Sequence, residues 1–311
     1  MATVGMYVDM PLEDLRREVR AHFFPPVTEH RSWLARRKRA TVCRMVTRPA
    51  RFGSTAWVLG IKGIDNVIDT PAETVFGKLT REEYLQHTTR VMAAFVGRDD
   101  PSRIEAVATD LPMILAVREG WRLGRDVAPM LYDLWMSVLP DARRQLRGEV
   151  FPNECVQAGA NHTNHLYGVG WVHLLGVPLD EATRAMRHLT LDAFEVDNLE
   201  DLLTDLRDSC AHYTIEQLQA AGIDPDVLAK ARTWEEVFAV PNMAAWFHER
   251  AAVQVGKWSG SSRKELVQLF GLAGYSYKVG AWLLTREALR LARKMQLLSA
   301  RWLQAEATHS Q

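Results

Sequence analysis

The stretch from Asn198 to Leu206, which reads NLEDLLTDL, decides the fold class, because its leucines recur at the spacing of an α-helix. Leu199, Leu202 and Leu206 lie at positions i, i+3 and i+7, so they share one helix face. The same apolar period returns along the chain at about 80–96, 103–117, 127–146, 154–175, 180–209, 234–255 and 263–304. Alternating apolar runs bounded by hairpin turns are absent, so strands are not expected. The sequence therefore predicts an all-α protein.

Helix-start signals and breaks at glycine and proline indicate how the helices are joined. Five pairs fit a capping box, in which a Ser or Thr is followed three residues later by Glu or Gln: Thr80 with Glu83, Ser102 with Glu105, Thr214 with Gln217, Thr233 with Glu236, and Ser262 with Glu265. We predict a single-domain helical bundle over residues 31–304. A loosely ordered N-terminal lead at 1–30 and a polar tail at 305–311 flank it.

Composition limits the classes of partner. The chain of 311 residues has 38 Lys and Arg against 38 Asp and Glu, so no global field attracts nucleic acid. Its three cysteines, Cys43, Cys155 and Cys210, have spacings that argue against a disulfide framework or a zinc site. The N-terminus lacks signal-peptide features, and no stretch approaches the roughly 20 apolar residues of a membrane span. We expect a reduced, cytoplasmic, soluble protein without stable membrane insertion.

Two aspartate pairs carry the main functional signal. Asp65 and Asp69 form one pair, and Asp201 and Asp205 form the other, each at i,i+4 spacing. Carboxylates at that spacing share a helix face and repel each other unless a cation lies between them. Two such helices that face each other would hold Mg²⁺, with water and substrate phosphates as further ligands. The alternative is an acidic helix face that only contacts solvent.

Basic residues precede the first acidic pair. The run from Arg36 to Arg39 is followed by Arg44, Arg48 and Arg51. They form either a cationic collar for an anionic diphosphate or an ordinary solvated basic face. The sequence leaves both interpretations open.

A central helix contains a histidine pair and two glycines. His162 and His165 lie at i,i+3 and suit a proton acceptor near neutral pH, or else form a hydrogen-bonded structural pair. Without a third ligand nearby, zinc is not expected. Gly168 and Gly170 allow close approach of either a neighbouring helix or a ligand.

The order of these features resembles the squalene/phytoene synthase family from about Arg39 to Trp302. The segment from Asp65 to Pro71 resembles the first aspartate-rich motif of that family, and the segment from Asp201 to Asp205 resembles the second. The most specific match after the aspartates is the stretch from Tyr213 to Ile223, YTIEQLQAAGI, which is similar to the family pattern Y-L-P-x-E-x-L-x-x-x-G-[VI].

This resemblance implies a class I isoprenoid synthase fold with an apolar active-site cavity inside the bundle. It implies an allylic prenyl diphosphate as substrate and Mg²⁺ as cofactor, held by both acidic pairs. Substrate-binding candidates are the residues at or near the positions that contact phosphate: Lys62, Asn66, Arg44, Arg51 and Arg207. His162 and His165 are the candidate catalytic bases.

Departures from the family pattern shape the predicted reaction. Asn66 replaces an aspartate of the first motif, Thr204 replaces the glutamate of the second, and Glu200 stands where an arginine is usual. Fewer charged ligands indicate one bound diphosphate, which is similar to the situation in divergent members of this family such as bacterial carbazole prenyltransferases. We therefore expect a prenyltransferase of secondary metabolism that uses a small aromatic acceptor, with Tyr167 and Trp171 available for stacking.

Three alternatives remain open. A head-to-head phytoene- or squalene-type synthase would join two prenyl diphosphates. A terpene cyclase would use one diphosphate and no acceptor. A non-catalytic helical binding subunit would fit the loss of charged residues from both motifs.

Overall fold

The computed structural model describes residues 2–23, 52–68, 74–75, 79–273 and 275–309. Within these ranges the chain forms two compact units. Unit 1 comprises Met1–Met136 and Leu166–Ala182, and unit 2 comprises Ser137–His165 and Thr183–Gln311. The predicted all-α class is confirmed, while the predicted single domain stays a prediction.

Unit 1 starts with two short helices that sequence analysis assigned to a loose lead. The elements, in chain order, are α1 (Val4–Asp9), α2 (Leu12–Phe23), α3 (Phe52–Ile68), β1 (Thr74–Val75), β2 (Leu79–Thr80), α4 (Arg81–Phe95), a 3₁₀ turn (Pro101–Arg103) and α5 (Asp110–Arg122). Strands β1 and β2 pair antiparallel, with Thr74 opposite Thr80. The expectation of loose order is wrong for residues 2–23, because α1 and α2 both pack on α5.

Close packing of α3 on α5 organises unit 1. Gly53 lies where a Cβ atom would approach the Cβ of Glu119 to 2.9 Å, so the absence of a side chain brings the two helices together. Glu119 itself is fully buried and pairs with Arg16 of α2 and Arg122. These ion pairs compensate a charge that would otherwise be costly to bury.

Three long helices have their ends in different units. They are α6 (Ala128–Leu146), α7 (Glu154–Leu175) and α8 (Leu179–Asp208). Their bounds agree within one residue with the predicted segments 127–146, 154–175 and 180–209. The agreement shows that a strong apolar period is sufficient to locate long helices.

Unit 2 continues with six helices that follow α8. They are α9 (Ile215–Ala220), α10 (Pro225–Leu228), α11 (Trp234–Ala239), α12 (Met243–Ser259), α13 (Ser261–Leu272) and α14 (Tyr275–His309). The helix predicted at 234–255 is divided, because Pro241 cannot donate a helical hydrogen bond. Helix α14 extends through the predicted polar tail as far as His309.

Aromatic packing stabilises the core of unit 2. Phe238 and Phe247 are buried with ring centroids 5.4 Å apart, and Trp234 contacts both rings. Leu199, Leu202 and Leu206 of α8 join the same cluster of buried residues. Burial of each such side chain contributes roughly 1.5–3 kcal/mol. The leucine face of α8 therefore fixes the rotation of that helix, and with it the direction of its acidic residues.

Local signals were correct at three of the five predicted helix starts. Thr80, Thr214 and Thr233 each form a complete capping box. The box at Ser102 is wrong, because Asp100 caps a 3₁₀ turn there and α5 begins only at Asp110. The box at Ser262 is also wrong.

The reason for the second error is a contact that is distant in sequence. The hydroxyl of Ser262 donates to the carboxylate of Asp192 at 2.6 Å. Helix α13 follows Gly260 instead and has no side-chain cap.

Candidate functional site

The last turns of α8 carry the second acidic pair. Asp201 and Asp205 lie on a helix that continues to Asp208, as the spacing predicted. Asp201 is exposed and Asp205 is half-buried. Asn198 lies at i−3 from Asp201 and i−7 from Asp205, so the three residues form one polar stripe. This stripe borders the leucine face that packs into the core of unit 2.

Asn198 is a candidate site residue that sequence reasoning missed. Its side chain is only 5% exposed, yet its amide oxygen Oδ1 has no hydrogen-bond partner among the described residues. A buried acceptor without a partner costs about 1–3 kcal/mol. Asn198 Oδ1, on the same helix face as two carboxylates, therefore retains the capacity to accept a hydrogen bond. The available signal was an amide one turn before Asp201, in a segment otherwise rich in leucine.

A second polar group lies one turn further toward the start of α8. The carboxylate of Glu195 accepts two hydrogen bonds from the guanidinium of Arg250, at 2.6 and 3.2 Å. That guanidinium lies over the rings of Tyr213 and Trp246, at 5.1 and 4.6 Å from their centroids. The arginine is therefore held on three sides, by Glu195 and by the two rings.

Tyr213 connects this group to the acidic stripe. The hydroxyl of Tyr213 donates to Glu195 at 3.4 Å. Burial, together with the charges of Glu195 and Asp205, raises the pKa of the Tyr213 phenol well above its ordinary value. Tyr213 therefore stays protonated and acts as a hydrogen-bond donor. Sequence reasoning used Tyr213 only as part of a motif, since its partner Arg250 is remote in sequence.

Arg207, a predicted phosphate ligand, is exposed and follows Asp205 on α8. Its guanidinium donates to the backbone carbonyl of Arg232, with the Nε atom 3.2 Å from that oxygen. The thiol of Cys210 lies 3.7 Å from an oxygen of Asp205. The hydrogen bond from Arg207 to Arg232 thus links the end of α8 to the segment before α11.

The first acidic pair is described only in part. Asp65 lies on α3 in unit 1, and Lys62 donates to its carboxylate at 2.7 Å. The two side chains are 45% and 60% exposed. Lys62 thus contacts the predicted metal ligand directly. Asn66 lies in α3 without a described side chain, and Asp69, Arg44 and Arg51 lie outside the described residues.

The predicted stacking residues Tyr167 and Trp171 lie in the part of α7 that belongs to unit 1, and both are half-buried. The indole of Trp57 donates to the backbone carbonyl of Tyr167 at 2.8 Å. Gly170 lies where a Cβ atom would come within 2.3 Å of the Trp57 ring. Of the two roles open for Gly170, helix packing is the one that the structure shows.

The histidine pair lies on the part of α7 that belongs to unit 2. His162 is exposed and His165 half-buried, with ring centroids 6.4 Å apart. The Nδ1 atom of His165 is buried and has no partner among the described residues. Burial, with the neighbouring charges of His162 and Arg187, lowers the pKa of His165. His165 is therefore neutral near pH 7 and competent to accept a proton.

The donor set of the α8 stripe suits Mg²⁺. It offers two carboxylates and an amide oxygen, and hard divalent cations prefer oxygen ligands. The described residues contain no cluster of three or more His, Cys, Asp and Glu side chains with metal-binding geometry. Any ion at this stripe would need further ligands from its substrate or from water, as Mg²⁺ commonly does.

No protein-family model, curated protein or solved structure matches the chain. Helices with the length and hydropathy of a membrane crossing are also lacking among the residues described above.

Proposed function

We propose that this protein is a Mg²⁺-dependent prenyltransferase, which moves a prenyl group from an allylic diphosphate to a small aromatic acceptor. The observation that carries the proposal is the polar stripe of α8, where Asp201 and Asp205 share a helix face with Asn198, whose buried Oδ1 has no hydrogen-bond partner among the described residues. The resemblance of both acidic motifs to those of squalene/phytoene synthases supports it.

The role of each residue follows from its chemistry. Asp201 and Asp205 are the proposed ligands of Mg²⁺, which when bound would neutralise the departing diphosphate. For Asp65 and Asp69 the same role stays a prediction from the resemblance. Lys62 is the proposed cation for phosphate oxygens. Tyr213 keeps its hydroxyl hydrogen bond to Glu195 near neutral pH, because its pKa is raised. Arg207 reaches phosphate only if it releases the carbonyl of Arg232.

The reaction balances without an oxidant or reductant. The C–O bond of the allylic diphosphate breaks, and its electron pair leaves with diphosphate. A π-electron pair of the acceptor ring forms the new C–C bond. The ring proton is then lost to a base, which we assign to neutral His165.

The test is Mg²⁺-dependent pyrophosphate release from geranyl, farnesyl and geranylgeranyl diphosphates, with and without indole, carbazole and phenol acceptors. We expect release that requires an acceptor. Asp201→Asn and Asp205→Asn should each lower the rate by at least about 100-fold, since loss of even an outer partner of a metal costs roughly 10–100-fold.

The matched control is Glu249→Gln, which changes an exposed carboxylate of the same unit and should keep full activity. Release without an acceptor would favour a synthase or a cyclase. Equal activity of all three variants would overturn the metal assignment.

A second candidate is a non-catalytic helical binding protein. It is favoured by the engagement of Lys62 with Asp65 and of Arg207 with the Arg232 carbonyl, because both predicted phosphate ligands have partners within the protein. Absence of Mg²⁺-dependent binding of any allylic diphosphate, measured by calorimetry, would select this candidate.

A further inference from the structure

The outer face of α14 carries an unusual charge pattern. Exposed residues recur at spacings of three and four along this face and form what we call the outer stripe: Leu283, Arg286, Arg290, Arg293, Leu297 and Arg301. At a rise of 1.5 Å per residue the stripe is about 27 Å long. It holds four arginines and no acidic residue, although the whole chain has equal numbers of acidic and basic residues.

Among the residues that the structure describes, most of this positive charge has no carboxylate partner. Arg290 pairs with Glu287 at 2.7 Å, and Lys294, beside the stripe, pairs with Glu200 at 3.5 Å. Arg286 lies over the ring of Trp282, at 5.6 Å from its centroid. Arg286, Arg293 and Arg301 have no carboxylate partner among the described residues. The stripe therefore presents a concentrated cationic surface.

Exposed apolar side chains accompany these cations. Leu283 is 52% exposed and Leu297 61% exposed, within the stripe itself. Trp282 and Leu284 flank Leu283 and are 42% and 45% exposed. A helix that combines exposed Leu and Trp with a basic face and few acidic residues is typical of binding in the plane of a membrane interface.

We propose that the outer stripe of α14 binds the surface of an anionic phospholipid bilayer. The guanidinium groups complement lipid phosphates and carboxylates, and the leucines and Trp282 enter the boundary between headgroups and acyl chains. An acidic polymer would satisfy the arginines but would leave Leu283 and Leu297 in water, so the apolar residues favour lipid. This inference is independent of the proposed catalytic function.

The test is co-sedimentation of the full chain with phosphatidylcholine vesicles, with and without phosphatidylserine. We expect binding only to the anionic vesicles, and binding that weakens as salt increases. The double variant Arg293→Glu with Arg301→Glu should bind at least about 25-fold more weakly, since each basic residue near an anionic surface contributes roughly fivefold. Leu283→Ser with Leu297→Ser should weaken binding without changing its dependence on salt.

The matched control is Arg103→Glu with Lys230→Glu, two exposed cations away from α14 that give the same change in net charge. Circular dichroism and thermal melting verify that each variant folds. Equal loss of binding in the control would overturn the assignment of this surface, as would failure of the parent protein to bind any vesicle. Binding of polyuridylate RNA without vesicle binding, or dimerisation abolished by the stripe variant, would instead identify another partner.

Discussion

The buried carboxylate of Glu119 in unit 1 and the polar stripe of α8 in unit 2 differ in the partners that the structure gives their polar atoms. Glu119 is fully buried, and both of its oxygens pair with arginines. On α8, Asp201 is exposed, and the buried amide oxygen of Asn198 has no partner among the described residues. The ion pairs of Glu119 stabilise the fold, whereas Asn198 Oδ1 retains the capacity to accept a hydrogen bond.

The largest expected effect is on stability, at Glu119. Glu119→Gln removes a buried charge and leaves Arg16, itself 7% exposed, without its ion-pair partner in α5. Breaking a buried pair on one side costs about 3–5 kcal/mol. Urea unfolding of the full chain should show this loss.

Asp201→Asn supplies the contrast in the same experiment. We expect its free energy of unfolding to change by less than about 0.5 kcal/mol, since exposed substitutions rarely do more. Similar losses for both variants would contradict the distinction between the structural carboxylate of Glu119 and the proposed metal ligand Asp201.

A smaller change in the free energy of unfolding, of opposite sign to that at Glu119, is expected at Asn198. Asn198→Leu keeps the branched shape and the number of side-chain heavy atoms and removes a buried acceptor that has no partner among the described residues, so it should raise the free energy of unfolding by about 1 kcal/mol. The same change should abolish Mg²⁺-dependent pyrophosphate release. A destabilised variant would show that the amide has a structural partner.

The control for Asn198 is Leu199→Asn, one position along α8, where a fully buried leucine belongs to the core. That variant should be strongly destabilised, because it places an unpaired amide in the cluster of apolar side chains. Together, the two variants compare the removal of a buried amide with the introduction of one at the adjacent position of the same helix.

The difference between local and tertiary interactions explains which features could be predicted from the sequence. The long helices and the caps at Thr80, Thr214 and Thr233 depend on residues within one or two turns, so local patterns predict them. The failed cap at Ser262 depends on Asp192, which is distant along the chain. In the candidate site, the spacing of Asp201 and Asp205 was visible. The burial of Asn198 and the bond between Glu195 and Arg250 were not, because both arise from tertiary packing.

The smallest expected effect is a pH dependence of stability at His165. Its Nδ1, like the amide oxygen of Asn198, has no hydrogen-bond partner in the described part of the chain. Burial lowers its pKa in the folded protein, so the unfolded chain binds a proton first as pH falls below about 6.5. Folded stability at His165 is therefore complete above that pH and decreases below it, until the folded imidazole is also protonated. Because the ring is partly exposed, the effect on stability is small.

The measurement is the shift in melting temperature between pH 7 and pH 5. His165→Gln should remove the part of this shift that comes from His165, whereas substitution of the exposed residue, His162→Gln, should leave the shift nearly unchanged. A melting temperature that depends on pH equally in all three proteins would contradict a neutral, buried His165 and would remove the support for its role as the base.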